Sequence, residues 1–237
     1  MKKFELTSES IVKFGRKLYR IRALVAFGDV EEGELGGFLE KEENLDQSGN
    51  AWVCGNAWVY DDARVSGNAW VSGNARVCDD ARVYGDARVY GDALVYGNAR
   101  VYGNARVCDD ARVYGDALVY GDARVYGDAR VCGNARVYGD ALVCGDALVC
   151  GDARVFRMYH YLVIGPMGSR NDFTTFFRTK NLFIGVSCGC FRGNVDEFVE
   201  KVKETHGNNK HAKAYFAATE LAKMQIDLTP EKNEPEE

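Results

Sequence analysis

The chain has 237 residues, a formal charge of −5 and a pI near 5.4, with 46% hydrophobic and 27% charged residues. That length allows one or two domains with a sizeable core. The acidic balance excludes a protein whose main partner is duplex nucleic acid, and 26 glycines against three prolines exclude collagen and disordered low-complexity chains.

No run approaches the roughly 18 consecutive apolar residues of a membrane helix, and Met1-Lys2-Lys3-Phe4-Glu5-Leu6 has no apolar signal core. The expected setting is therefore the cytoplasm, without a membrane partner, and the eight cysteines are expected to be reduced thiols. Residues 1–48 read as an N-terminal β-hairpin cap. Ser10-Ile11-Val12-Lys13-Phe14 and Lys17 to Leu24 alternate and are joined near Gly15-Arg16. Gly33-Glu34-Leu35-Gly36-Gly37-Phe38-Leu39 then leads to Leu45, which shares the six-residue register of the alanines from Ala51 onward.

From Ala51-Trp52-Val53 to Ala153-Arg154-Val155, Ala-x-Val recurs every six residues without insertion or deletion, giving 18 units over residues 49–156. The pair before Ala is Gly-Asn seven times, Gly-Asp eight times and Asp-Asp three times. These residues tolerate positive φ and bend the chain. Alternation in the other four residues points Ala and Val inward and the two variable residues outward. A short strand and a bend repeated in one sense cannot make hairpins. It makes a coil of parallel strands, and three sides of six residues close a triangle. The units then form six coils, on the order of 29 Å tall at the spacing of neighbouring strands.

Residues 18 apart stack into columns. One face carries Arg64, Arg82, Arg100, Leu118, Arg136 and Arg154 beside Ser66, Tyr84, Tyr102, Tyr120, Tyr138 and Phe156. Such a stripe suits single-stranded nucleic acid, but tyrosine ladders and arginine stems also suit exposed strands whose charge is offset by the 14 turn aspartates, and that plainer reading is preferred. The second face has Trp52, Trp70, Arg88, Arg106, Arg124 and Leu142, the third Trp58, Arg76, Leu94, Arg112, Arg130 and Leu148. Exposed Trp, Leu and Tyr on flat sides predict a homo-oligomer. Cys54, Cys78, Cys108, Cys132, Cys144 and Cys150 occupy the outward slot that Tyr or Ser fills elsewhere, and only Cys132 and Cys150 are 18 apart. Scattered thiols do not converge on a metal. The column Asp92, Asp110, Asp128, Asp146 offers oxygen ligands to a divalent cation, though nearby arginines and solvent relieve the same repulsion.

Residues 157–224 read as an α+β module. Tyr161 to Gly165, Phe173 to Thr179 and Leu182 to Phe191 are strand-like, the last with Leu182, Ile184, Val186, Cys188 and Cys190 on one side. Asn194 caps a helix with Glu197 in a capping box, Val195, Phe198, Val199 and Val202 forming its apolar stripe and Gly207 its stop. A second helix over 210–224 should bury Ala214, Tyr215, Ala218, Leu221 and Ala222. Residues 225–237 read as an acidic disordered tail. Gly165-Pro166-Met167-Gly168-Ser169-Arg170 is a glycine-rich loop that can offer amides and a guanidinium to an anion. Ser169, Arg170, Thr174, Arg178 and Arg192 are the candidate ligand residues, with Arg192-Gly193-Asn194 opening a helix whose N-terminus favours negative charge. The ligand they imply is a phosphate-bearing small molecule. The alternative is packing or trimer sealing, with Arg178 and Arg192 paired to Glu197, Glu200 or Glu204. The two thiols of Cys188 and Cys190, with His206 nearby in sequence, would want two more ligands to hold a metal, so no metal and no cofactor is expected.

The hexapeptide, with an aliphatic residue and a small residue at fixed positions, resembles that of the left-handed parallel β-helix. The chain is therefore similar to the hexapeptide-repeat superfamily, which includes many trimeric acyltransferases, over about half its length. The resemblance implies a mainly β fold, with a left-handed parallel β-helix of about six coils, an N-terminal β cap and a small C-terminal α+β module. It also implies a trimer. The superfamily's acyltransferases use a histidine base and a loop protruding from a coil. The 18 units here contain neither, since His160, His206 and His211 all follow them, so a non-catalytic binding protein is expected ahead of an acyltransferase or a purely structural module. The two ends resemble segments around hexapeptide arrays in phage, prophage and gut-bacterial proteins. This implies a phage or mobile-element origin, and by analogy a phage sponge sequestering a nucleotide immune signal.

Overall fold

In the computed structural model, which describes residues 2–230, the first residue of every bend takes a left-handed backbone, from Gly49 (φ 68°) to Gly151 (φ 63°). Asp61, Asp79 and Asp109 adopt φ of 58° to 59° in the slot that glycine fills elsewhere. What makes aspartate acceptable there is its carboxylate: Asp79 accepts the Gly97 amide of the next coil at 2.9 Å and Asp109 accepts that of Gly127 at 3.2 Å.

The bends separate eighteen two-residue strands, β4 (Trp52–Val53) to β21 (Arg154–Val155), which stack as three parallel sheets. Each residue pairs with the one 18 further on, as Arg100 with Leu118 and Val101 with Val119. The bonding reaches the flanking residues, Arg100 donating to the Ala117 carbonyl at 2.9 Å and Tyr102 to that of Val119 at 3.0 Å. Every repeat alanine and valine is buried to 1% exposure or less, so the interior is built as expected. Each buried valine is worth about 1.5–3 kcal/mol. Outside, Asn68 reaches Asp86 and Asn98 reaches Asp116 at 2.9 Å, one coil on. Tyr84, Tyr102, Tyr120, Tyr138 and Phe156 stack at centroid spacings of 4.8 to 5.0 Å, which is the strand spacing itself.

At the N-terminal end, β1 (Phe4–Lys13) and β2 (Arg16–Ala23) form the expected hairpin, turning through Phe14 (φ 51°) and Gly15 (φ 77°). The next strand, β3 (Leu35–Leu39), pairs antiparallel with β2 and parallel with β5 (Trp58–Val59). Parallel stacking therefore starts inside the segment read as a cap, and the third face has seven rungs where six were expected. The extra coil lacks the Gly-Asn bend and closes differently. Leu45 bridges Val65, and buried Asn44 donates to the carbonyls of Asp61 and Ala63 at 3.0 and 2.9 Å. Trp52, expected on an exposed face, is fully buried, because Phe4 and Phe27 close over its ring at 6.5 and 5.4 Å.

At the other end, β22 (Tyr161–Met167), β23 (Asp172–Arg178), β24 (Ile184–Cys188) and β25 (Phe191–Asn194) form an antiparallel sheet in chain order. The strand read over Leu182 to Phe191 is broken in two by a turn at Gly189 (φ 55°), and Leu182 (φ 58°) lies before it in a loop. Cys188 and Cys190 consequently do not share a strand face, and Cys190 is exposed. Helix α1 (Val195–His206) starts at the Asn194–Glu197 capping box and ends at Gly207 as read. Helix α2 (Lys210–Gln225) buries Ala212, Tyr215, Ala218, Thr219 and Ala222, whereas Ala214 and Leu221 are exposed. Ile226, assigned to a disordered tail, is buried against the module, and Leu228 packs partly on it. Residues 231–237, the rest of that tail, lie outside the described residues. Among the described residues no helix is long and apolar enough to cross a membrane.

Strand β23 ties the module to the solenoid. Phe177 joins the solenoid core while its neighbour Phe176 joins the module core, as alternation requires. Thr175 accepts the Leu148 amide at 2.9 Å, and Ala153 bridges Thr179. The open end of the coil, with its unpaired backbone, is covered by this strand.

Candidate functional site

Three of the five sequence-selected residues meet in one place. Ser169 and Arg170, from the loop between β22 and β23, and Arg192, from β25, line a cavity of about 570 Å³ with residues of α1 and α2. The loop is held by contact. Gly168 (φ 74°) lies so close to the Tyr215 ring that a methyl group there would collide with its hydroxyl. Arg170 lies over Gly189, where a methyl would come within 3.1 Å of the guanidinium. Arg192 donates from Nη1 to the carbonyls of Gly189 and Phe191 at 2.8 and 2.5 Å, which fixes one edge of its fork.

The wall chemistry is mixed in a useful way. Arg170, Arg192 and Lys201 face one carboxylate, Asp172, while Phe191, Phe198, Val202 and Tyr215 supply an apolar and aromatic side. Burial pushes the Tyr215 hydroxyl up to about 12, so it remains protonated at neutral pH. His206 stacks on Tyr215 at 5.8 Å. Cations beside aromatic faces are what a phosphate attached to a planar group requires.

Thr174 and Arg178 are placed elsewhere. Thr174 is fully buried behind the cavity wall, donating to the Cys188 sulfur at 3.2 Å. Arg178 is fully buried at the junction with the solenoid, its guanidinium 5.0 Å from the Phe156 ring that ends the tyrosine ladder. The alternation of β23 explains the split: a strand buried on both faces has no room to offer these side chains to solvent. The α1 N-terminus contributes no anion site, because Asn194 accepts the Asp196 and Glu197 amides and the Glu197 carboxylate takes the Asn194 amide. In its place the later turns of α1 supply Phe198, Lys201, Val202, Thr205 and His206, none of them among the candidate ligand residues, although the sequence places Phe198 and Val202 on the helix's apolar stripe. Their i, i+3, i+4 spacing from Phe198 was the signal that could have found them.

A larger cavity, about 720 Å³, lies at the opposite end against Leu45 and the first arginines of the tyrosine face. There Glu42, Glu43 and Asp46 answer Arg64, Arg82 and Arg100, so its charges cancel and it offers no net attraction to an anion. His160 is buried between Phe156 and Tyr159 at 4.0 and 5.0 Å, its Nδ1 facing the Phe156 amide. Among the described residues no three His, Cys, Asp or Glu side chains are grouped to hold a metal ion, the stacked aspartates included.

Comparison with known proteins bears on the coil. The family model described as the YdcK beta solenoid repeat matches residues 57–73 and, in overlapping windows, 75–145. The chain is a β-solenoid repeat protein. The matched windows lie wholly within the eighteen units, so the likeness concerns the scaffold. No curated protein matches the chain.

Proposed function

We propose that this β-solenoid protein is a non-catalytic binding protein, its coils a rigid scaffold and its C-terminal module a receptor for a phosphate-bearing small molecule. The observation that carries the reading is the meeting of Ser169, Arg170 and Arg192 with Lys201 on a cavity whose other wall is aromatic. A nucleotide fits that division, phosphate on the arginines and base on the rings, and its sequestration by a phage-encoded protein is the specific form of this reading. The reading includes assembly through the solenoid sides, where Trp70, Leu94 and Leu118 are half-buried on flat faces, and a trimer is the arrangement proposed. An acyltransferase is disfavoured because His160 is committed to ring packing and His206 and His211 stand on the module helices, away from the solenoid sides.

The test is calorimetric titration of the purified protein with inorganic phosphate, mononucleotides, cyclic nucleotides and ADP-ribose, with sedimentation velocity to fix the oligomer. Binding that is lost in both Arg170→Ala and Arg192→Ala, with the fold intact, is the expected result. No binding across the panel, or binding indifferent to both substitutions, overturns it. A second reading has an observation of its own: β23 seals the solenoid through Phe177 and Thr175, so the module also acts as an end cap.

A further inference from the structure

We propose that Cys132 and Cys150 form a dithiol that closes reversibly to a disulfide between two neighbouring coils when the protein meets a peroxide. Six of the eighteen outward slots that follow a repeat valine hold cysteine, and this is the pair the six-residue repeat sets one above the other. The register is direct: Arg130 pairs with Leu148, Val131 with Val149, and the Cys132 amide donates to the Val149 carbonyl at 3.0 Å. Neighbouring in-register residues stand about 4.8 Å apart, inside the Cα separation of roughly 4.4–6.8 Å that a disulfide spans. Both side chains point outward from the same sheet, on adjacent rungs.

The surroundings divide the labour. The Cys150 sulfur lies 3.0 Å from the Ser187 hydroxyl and beside the Arg192 guanidinium, on the wall of a cavity of about 400 Å³ at the junction of solenoid and module. That opening admits a molecule of peroxide size although only 7% of Cys150 is exposed. The adjacent Cys132 thiol, followed by the Ser187 hydroxyl and the Arg192 guanidinium, holds the Cys150 thiol down to about 6 against the opposing effect of burial. Cys132 is correspondingly pushed up, first by the Cys150 thiol beside it and then by burial, so the pair keeps one proton at neutral pH. Cys188 and Cys190 differ: they flank a turn, with Cys188 facing Thr174 and Tyr215 and Cys190 facing solvent.

The chemistry balances. The Cys150 thiolate attacks one peroxide oxygen, the O–O bond breaks, and the departing hydroxide takes the Cys132 proton to become water. Cys150 is then a sulfenic acid. The Cys132 thiolate attacks that sulfur, the S–O bond breaks, and the second hydroxide takes from solvent the proton that Cys150 had released. Two thiols lose two electrons and one peroxide becomes two waters.

The experiment uses the reduced full-length chain and stoichiometric hydrogen peroxide. The titratable thiols of the denatured protein should fall by two from eight, the mass should fall by about 2 Da, and peptide mapping should join the Cys132 and Cys150 peptides. Dithiothreitol should reverse all three changes. Cys132→Ser and Cys150→Ser should each abolish the joined peptides and the fall of about 2 Da, while Cys188→Ser with Cys190→Ser should keep both. Thiolate absorbance should show one midpoint near 6, absent in Cys150→Ser, with Cys150→Ala in its place if that variant does not fold. A constant thiol count, a link between other cysteines, or a gain of about 32 Da on Cys150 with Cys132 left free overturns the proposal.

Discussion

Replacing Gly103 by alanine perturbs the bend and the stack together, and the two effects can be separated. Gly103 sits at φ 68°, and an alanine Cβ there would lie 3.0 Å from the amide nitrogen and 3.3 Å from the carbonyl oxygen of Gly121 on the next coil. The left-handed backbone alone costs a non-glycine residue about 1–2 kcal/mol. The contact adds about 1 kcal/mol or more, since backbone cannot yield without opening the ladder, and reduced freedom of the unfolded chain returns about 0.4–1 kcal/mol. The net loss should be about 1–3 kcal/mol. Gly145→Ala is the control, having φ 62° and nothing within 4 Å of the added carbon, so only the backbone cost of about 1 kcal/mol remains. Gly103→Asp should recover about 1 kcal/mol relative to Gly103→Ala, because its carboxylate can take the Gly121 amide as Asp79 takes that of Gly97 at 2.9 Å. Thermal unfolding followed by circular dichroism reads the order, at roughly 2–4 °C per kcal/mol for a chain of this size. Gly103→Ala proving as mild as Gly145→Ala, or no worse than Gly103→Asp, would refute the stacking argument.

Three further substitutions probe other parts of the molecule. Trp52→Ala should cost about 3–5 kcal/mol, because the indole is fully buried beneath Phe4 and Phe27, and its melting midpoint should fall more than that of Trp70→Ala. Tyr120→Ala removes two stacked contacts from the middle of the aromatic ladder and should cost about 2 kcal/mol, whereas Tyr84→Ala, at the ladder's end, removes one and should cost about half as much by the same denaturation assay. Thr175→Val keeps shape but leaves the Leu148 amide without its acceptor, so about 1–3 kcal/mol should be lost and hydrogen exchange at Leu148 should accelerate.

How far the sequence could be read depended on how local the physics was. The interior of the coil was legible residue by residue, because a period of six with Ala and Val at fixed positions leaves one way to bury both. The exposed columns followed from the same arithmetic, and the register of Arg100 on Leu118 agrees with it. The first coil was missed because Asn44 and Leu45 close it through side-chain hydrogen bonds and a single bridge, without a Gly-Asn bend. Trp52 was misplaced for a related reason: its slot is an outward one, and only the fold of Phe4 and Phe27 over it makes it core. In the candidate site, Ser169, Arg170 and Arg192 were legible as loop and turn chemistry. Thr174 and Arg178 were not separable from them, since a strand that is exposed on one face and one covered on both can carry the same alternation.

The double burial of β23 links the two halves of the molecule. Phe177 and Thr175 belong to the solenoid end, while Thr174 and Phe176 belong to the wall behind the cavity, so neighbouring residues of one strand serve both. A strand pinned this way cannot shift register by one residue without sending each phenylalanine and threonine to the opposite core. Since β23 pairs with β24, and β24 with β25, the position of Arg192 is referred through three strands to the last coils of the solenoid. Cys150 and Ser187 meet on that same line, with Arg192 beside them. The coil therefore does more than carry the module: its end sets where the cavity's guanidinium stands, which is why a receptor built on a loop and a turn can be held in place by a scaffold whose interior is alanine and valine.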